Sequence, residues 1–201
     1  MIDKNRLLAI TDGIIAIAAT IMVLQLDIPT EASFRAVAAQ WPTMLAYIIS
    51  FLQIFLAWHE HHDSIANAEH INHRIFLINC LWLFFVTLLP FATGVIGHSL
   101  AHAPSMRLYI VVLLLVQLSI TVESKAIEKL NNCPILDREV IHVIRYISVG
   151  GYMLAGAGTF YHAYLGFGIV IALTTTEIIL ICLYDRKINQ KVKAILQNGT
   201  E

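Results

Sequence analysis

Six stretches of this chain are long, nearly unbroken apolar runs divided by short polar segments. They lie near Leu7 to Leu26, Pro42 to His61, Ile75 to Ile96, Leu108 to Ile127, Val140 to Tyr161 and Ala163 to Tyr184. A helix crosses the hydrocarbon core of a bilayer with about 20 apolar residues, whereas a barrel strand needs about ten with alternating faces. These runs have the first length and no alternation. The pattern predicts an all-α integral membrane protein with six transmembrane helices per subunit. Pro29 closes the first run and Pro90 falls inside the third. The last two runs nearly touch around His162, which predicts a helical hairpin. Residues 1–185 are read as one membrane domain and 186–201 as a short polar cytoplasmic tail, with a short frayed helix beginning near Asp185.

Composition agrees. Hydrophobic residues make up 58% and charged residues 13%, with a mean hydropathy of +0.71. A soluble domain is about half apolar and a quarter charged. The surplus apolar surface has a place against lipid. The net charge of −1 gives no basic patch for nucleic acid. Cys80, Cys133 and Cys182 are far apart and form no CxxC pair, so neither a disulfide framework nor a zinc site is expected. Lys4 and Arg6 before an apolar run have the look of a signal peptide. Asp12 interrupts that run and no small-x-small cleavage site follows, so the segment is read as a retained first helix.

Charge also orients the chain. Six crossings put Lys4, Arg6, Arg74, Lys125, Lys129, Arg138, Arg186, Lys187, Lys191 and Lys193 on one side, with Arg35 and Arg107 on the other. Basic residues favour the cytoplasmic side. Both ends are therefore placed in the cytoplasm and the protein in the plasma membrane.

The first run carries the candidate chemistry. Arg6 and Asp12 sit in its cytoplasmic third, where ionisable groups are costly unless paired or wet. They either pair with neighbours to fix the fold or hold a pore helix in place. Gly13, Ile17, Thr20, Ile21, Leu24 and Asp27 recur at spacings of three or four and share one face. On a lone helix such a stripe is packing or lipid-facing surface. Around a symmetry axis, Ile17, Ile21 and Leu24 would form apolar rings able to gate by dewetting. Thr20 would add a hydroxyl layer, and Asp27 at the outer mouth would concentrate cations.

The second run ends in Trp58-His59-Glu60-His61-His62-Asp63. Adjacent histidines diverge by about 100° on a helix, and no HExxH spacing is present, so a metal site is disfavoured. Trp58 and His61 share a face at the depth of Arg6 and Asp12. Their ring nitrogens suit a buried carboxylate. A structural polar layer of Arg6, Thr11, Asp12, Trp58 and His61 is expected. Glu123, Arg145 and Glu177 fall at similar depth and are read as a mutual ion pair in the scaffold. Asn79 and Gln117 suit hydrogen bonds between helices. Glu31, Arg35, His98 and His102 are placed outside, in solvent.

These residues also resemble a known family. Arg6-x-x-x-Ile10-Thr11-Asp12 is similar to the Arg-x-x-x-Phe-Ser-Asp signature of the transmembrane protein 175 family of potassium channels, in its bacterial branch. Ile10 replaces the Phe and Thr11 the Ser. Gly13-Ile-Ile-Ala-Ile17-Ala-Ala-Thr20, Trp58-x-x-His61-His62 and Leu89-Pro90-Phe91-x-Thr93 resemble the family as well. The first three helices carry the likeness, and the last three match in number and placement. The resemblance implies a homotetramer whose four first helices line a central pore. It implies an apolar filter at Ile17, Ile21 and Leu24, with Ile17 the main constriction and Thr20 associated with potassium preference. No TVGYG-like carbonyl filter is present. Modest selectivity for potassium over sodium is expected, with permeation by rubidium or caesium and no cofactor.

The alternative is a proton- or cation-coupled secondary transporter using Asp12, the histidines and Glu177. Repeated halves and paired broken helices, common in transporters, are not visible. No Gly-x-Ser-x-Gly, HExxH or phosphate-binding loop points to an enzyme. No Arg-rich voltage-sensing helix is present.

Overall fold

Asp3 opens the first helix by capping it. Its carboxylate accepts from the backbone N–H of Asn5 and Arg6, donors that no carbonyl inside the helix can satisfy. Helix α1 runs Lys4–Met22 and tightens into a 3-10 turn at Val23–Gln25 before Leu26 turns extended. A short helix, α2 (Phe34–Ala39), follows, capped by Ser33. Then come α3 (Trp41–Ala66), α4 (His73–Thr87), α5 (Leu89–Gly97), α6 (Ala103–Asn131), α7 (Arg138–Gly158) and α8 (Ala163–Asn198). This is a computed structural model describing residues 3–29, 31, 33–131 and 138–198, with backbone alone for 138–141, 185 and 187–198. Cys133 and the last three residues of the expected tail lie outside them.

The described residues are all-helical. Five segments are long and apolar enough to cross a membrane: Lys4–Gln25, Trp41–Ala66, His73–Gly97, Ala103–Asn131 and Ala163–Tyr184. The expected fifth span is now α7, a 21-residue helix whose side chains are described from His142 onward, which leaves too short a stretch to set beside these five. It runs the length of α6 in the opposite direction. Near its start Arg145 and His142 reach Glu128, close to the end of α6. At its far end Thr159 accepts a hydrogen bond from Arg107, close to the start of α6, at 3.0 Å.

The third run differs from expectation in one respect: it is two helices in series. The path breaks at Leu88, and Pro90 lies in the first turn of α5, where its missing N–H costs nothing. The sixth run extends further than its apolar stretch, because the helix expected from Asp185 is continuous with it, and α8 ends at Asn198. The expected hairpin is present, α7 ending at Gly158 and α8 starting at Ala163.

Packing is dense between α7 and α8 because small residues let the backbones approach. A Cβ added at Gly151 would lie 2.4 Å from Leu173 Cδ2, and one at Gly166 would lie 2.6 Å from Thr159 Cγ2. The core gathers Met22 and Ile15 of α1, Ile54 of α3, Trp82 of α4, Leu89 of α5, Tyr109 of α6, Tyr152 of α7 and Val170 of α8. Helix α1 is held against α3, α4 and α5. Its start is fastened by Lys4, whose ammonium donates to the carbonyls of Ala66 (2.9 Å) and Ala68 (3.1 Å) at the end of α3. A cation there completes the last carbonyls of a helix.

Candidate pore face and buried polar layer

Helix α1 has two faces of different fate. Leu7, Thr11, Ile15, Ala18, Ala19 and Met22 are buried against the subunit. The opposite face carries Ile10, Gly13, Ile17, Thr20, Ile21 and Leu24, all exposed. Ile17 is 59% exposed and Leu24 75%, whereas Ile15, two residues from Ile17, is 3% exposed. The predicted stripe is therefore a single apolar face that nothing in the subunit covers. Gly13 adds no bulk to it, and a Cβ there would meet no atom within 4 Å. Thr20 donates its hydroxyl hydrogen to the Ile17 carbonyl at 2.9 Å. At the end of the stripe, Asp27 Oδ2 lies 3.7 Å from His98 Nδ1, with both side chains mostly exposed. His102 pairs loosely with Ser105.

The other face of α1 holds most of the expected polar layer. Trp58 of α3 donates from Nε1 to Asp12 Oδ1 at 2.7 Å. Thr11 is fully buried and faces Asn79 of α4 across 3.5 Å, at the long limit of a hydrogen bond. Asn79 in turn bonds His61 Nε2 at 2.7 Å. His61 stacks on Trp82 with ring centroids 4.4 Å apart. Thr11, Asp12, Trp58 and His61 thus contribute to one layer as two linked pairs, Thr11 and His61 through Asn79, and Asp12 with Trp58 directly. The fifth expected member does not join it. Arg6 is exposed, and among the described residues its side chain has no hydrogen bond or ion pair. Six residues before Asp12, Arg6 lies about 120° around the helix from it, off the face that meets α3.

The mutual ion pair expected among Glu123, Arg145 and Glu177 does not form. Arg145 pairs with Glu60 of α3 through Nε, with Glu128 at 3.4 Å, and reaches Ser64. Glu177 accepts from Ser148 and, at 3.4 Å, from Gln53, which also receives a 2.7 Å bond from Tyr152. Glu123 is buried opposite His61, Oε1 to Nε2 3.5 Å. The reason is angular. Glu60 and His61 are neighbours in sequence but about 100° apart on α3, so each meets a different helix. Sequence reasoning missed Glu60, Glu128 and the Trp82 stack. Asn79 was visible as a lone polar residue in an apolar run, although its two partners were not.

The Trp58 to Asp63 stretch forms no metal cluster. Among the described residues no group of three or more His, Cys, Asp or Glu side chains gathers as ion ligands would. His59 and Asp63 sit 3.8 Å apart on an exposed face.

Comparison with known proteins places this architecture. The family model described as endosomal/lysosomal potassium channel TMEM175 matches residues 6–90, the stretch from Arg6 to Pro90. A potassium channel of Chryseobacterium sp. (strain P1-3) is 32% identical over 167 residues, covering 82% of this chain and 87% of that protein. A potassium channel of Chamaesiphon minutus is 32% identical over 106 residues, half of this chain and 52% of that protein. The crystal structure of a lysosomal potassium-selective channel TMEM175 homolog from Chamaesiphon minutus superposes with a TM-score of 0.78. It covers 88% of this chain and 96% of its own at 24% identity, a likeness of fold. On its helices and its relatives, this chain is a multi-pass membrane protein that belongs to the TMEM175 family.

Proposed function

We propose that this protein is a potassium channel: a homotetramer of six-helix subunits whose four copies of α1 surround a central pore. The observation that carries the reading is the uncovered stripe of Ile17, Ile21 and Leu24 on a helix whose opposite face is firmly packed. Four such stripes about an axis form stacked apolar constrictions, the narrowest at Ile17, with Thr20 between the first two. Asp27 rings the outer mouth and draws cations toward it. Thr11, Asp12, Trp58 and His61 fix the inner half of α1 against α3 and α4, so the filter is held from behind. Helix α7 is the sixth crossing, since it parallels α6 from Glu128 to Arg107. Both termini then face the cytoplasm of a plasma-membrane protein. An apolar filter strips little water, so selectivity for potassium over sodium is modest, with rubidium and caesium also passing. The channel needs no cofactor and performs no enzymatic step.

The test is potassium flux in proteoliposomes, with sodium in parallel, for wild type, Ile17→Asn and Ile15→Ala. Expected is faster potassium than sodium flux in wild type and lost discrimination in Ile17→Asn. Ile15→Ala should keep selectivity while lowering thermal stability, because Ile15 is buried and Ile17 is not. Absence of downhill flux from folded protein overturns the channel reading. Unchanged discrimination in Ile17→Asn removes Ile17 from the filter.

A further inference from the structure

At the end of the bundle that carries Lys4, the start of α4 lies beside the last turns of α6. Between them is a groove of about 440 Å³. Its walls are apolar, from Ile75 and Ile78 on α4 and from Val122, Ala126 and Leu130 on α6. The α6 residues recur every four positions, so they form one continuous strip. Val122 and Leu130, at the two ends of this strip, are 53% and 40% exposed, so the slot is open at both.

Three cations edge this slot: Arg74, Lys125 and Lys129, all exposed. Among the described residues, Arg74 and Lys129 have no side-chain hydrogen bond or ion pair. Lys125 lies over the ring of Tyr146 at 5.2 Å, a contact that leaves its charge unneutralised. Glu128, the neighbouring carboxylate on α6, is engaged by Arg145 and His142. Three like charges around one opening repel one another unless an anion lies among them. Water would solvate the cations and leave the slot bare, and so would a free inorganic anion. A molecule with an anionic head and a hydrocarbon tail satisfies both halves. The depth is right for it: Arg74 is the second residue of α4, and Lys129 stands two residues before the end of α6. Lys125 lies one turn deeper, where a long stem can still lift its ammonium to the headgroup level.

We propose that this groove binds an anionic phospholipid of the cytoplasmic leaflet, its phosphate among Arg74, Lys125 and Lys129 and one acyl chain along Ile78 and Val122. The assignment rests on the membrane orientation given above and is independent of conduction.

The experiment is native mass spectrometry of the full-length protein in detergent, titrated with phosphatidylglycerol, with phosphatidylcholine of the same chains, and with inorganic phosphate. Wild type should retain phosphatidylglycerol over phosphatidylcholine. Removing cations should weaken that retention by about fivefold each, read in Lys129→Gln and in the triple variant Arg74→Gln, Lys125→Gln, Lys129→Gln. A control triple, Lys187→Gln, Lys191→Gln, Lys193→Gln, removes the same charge from the tail and should bind as wild type does. Val122→Trp keeps the cations but fills the slot, and should lose the lipid. Equal retention by the groove and tail variants overturns the proposal, as does undiminished lipid binding in Val122→Trp. Inorganic phosphate that displaces the lipid at comparable concentration would mark a free-anion site instead and also overturns it. None of these readouts requires ion flux, so a failed channel reading leaves the lipid result standing, and the reverse.

Discussion

Replacing Trp58 with Phe tests how α1 is anchored. The indole N–H is the donor to Asp12 at 2.7 Å, linking α1 to α3. Phenylalanine keeps an aromatic ring beside Phe55, whose own ring now meets Trp58 edge-on at 6.4 Å, and deletes the donor. A hydrogen bond to a charged group contributes about 1.5–3 kcal/mol. Both partners are half-buried, so the lower part of that range applies, about 1.5–2 kcal/mol per subunit. For a chain of this size, each kcal/mol shifts the unfolding temperature by about 2–4 °C. The expected drop is therefore about 3–8 °C. Thermal unfolding in detergent micelles, at one fixed scan rate, measures it. A double-mutant cycle with Asp12→Ala isolates the bond from the packing. Residues in direct contact couple by about 0.5–3 kcal/mol. A coupling within about 0.3 kcal/mol of zero, the scatter expected of independent sites, would refute the claim that this bond holds α1 in place.

Two further variants probe the scaffold. Arg145→Met leaves the Glu60 and Glu128 carboxylates without the guanidinium that faces both, and breaking a buried pair costs about 3–5 kcal/mol; the folded yield should collapse and recover in part when Glu60→Gln is added, and an unfolding temperature equal to wild type would contradict the pairing. Gly151→Ala drives a methyl into Leu173 and should destabilise by about 1–3 kcal/mol, as overpacking does, whereas Gly150→Ala, with nothing within 4 Å of the new methyl, should be neutral or slightly stabilising; similar unfolding temperatures for the two alanine variants would show that α7 and α8 are not in close contact.

The helices were legible because a bilayer demands long apolar runs, and such runs survive in the sequence as unbroken stretches. The exposed stripe on α1 was legible for a related reason: a helix fixes which residues share a face before anything packs against it. Partners were less so. Glu123, Arg145 and Glu177 were read as lying at one depth, but depth is one coordinate and direction around the helix is another. Arg145 turns to Glu60, Glu123 to His61 and Glu177 to Ser148, each choice set by how α3, α6, α7 and α8 are rotated against one another. The same ambiguity put Arg6 in the layer with Asp12, although it emerges on an uncovered side. Pro90 was readable as a disturbance. That it divides the run into α4 and α5 rests on a change of hydrogen-bond pattern at Leu88, whose backbone stays right-handed helical, and composition does not encode that.

Thr20 has one hydroxyl hydrogen, and it is spent on the Ile17 carbonyl. What the side chain offers outward is therefore lone pairs alone. Along a face that is otherwise hydrocarbon, this gives one level a sign: it can accept from water or lean toward a cation, and it has nothing to donate to an anion. In the four-fold assembly proposed above the same arrangement would repeat at each copy, giving a belt of oxygens that could not be turned around without breaking the bond to Ile17. Valine at this position would keep the shape and erase the polarity, making the whole stripe indifferent to charge sign.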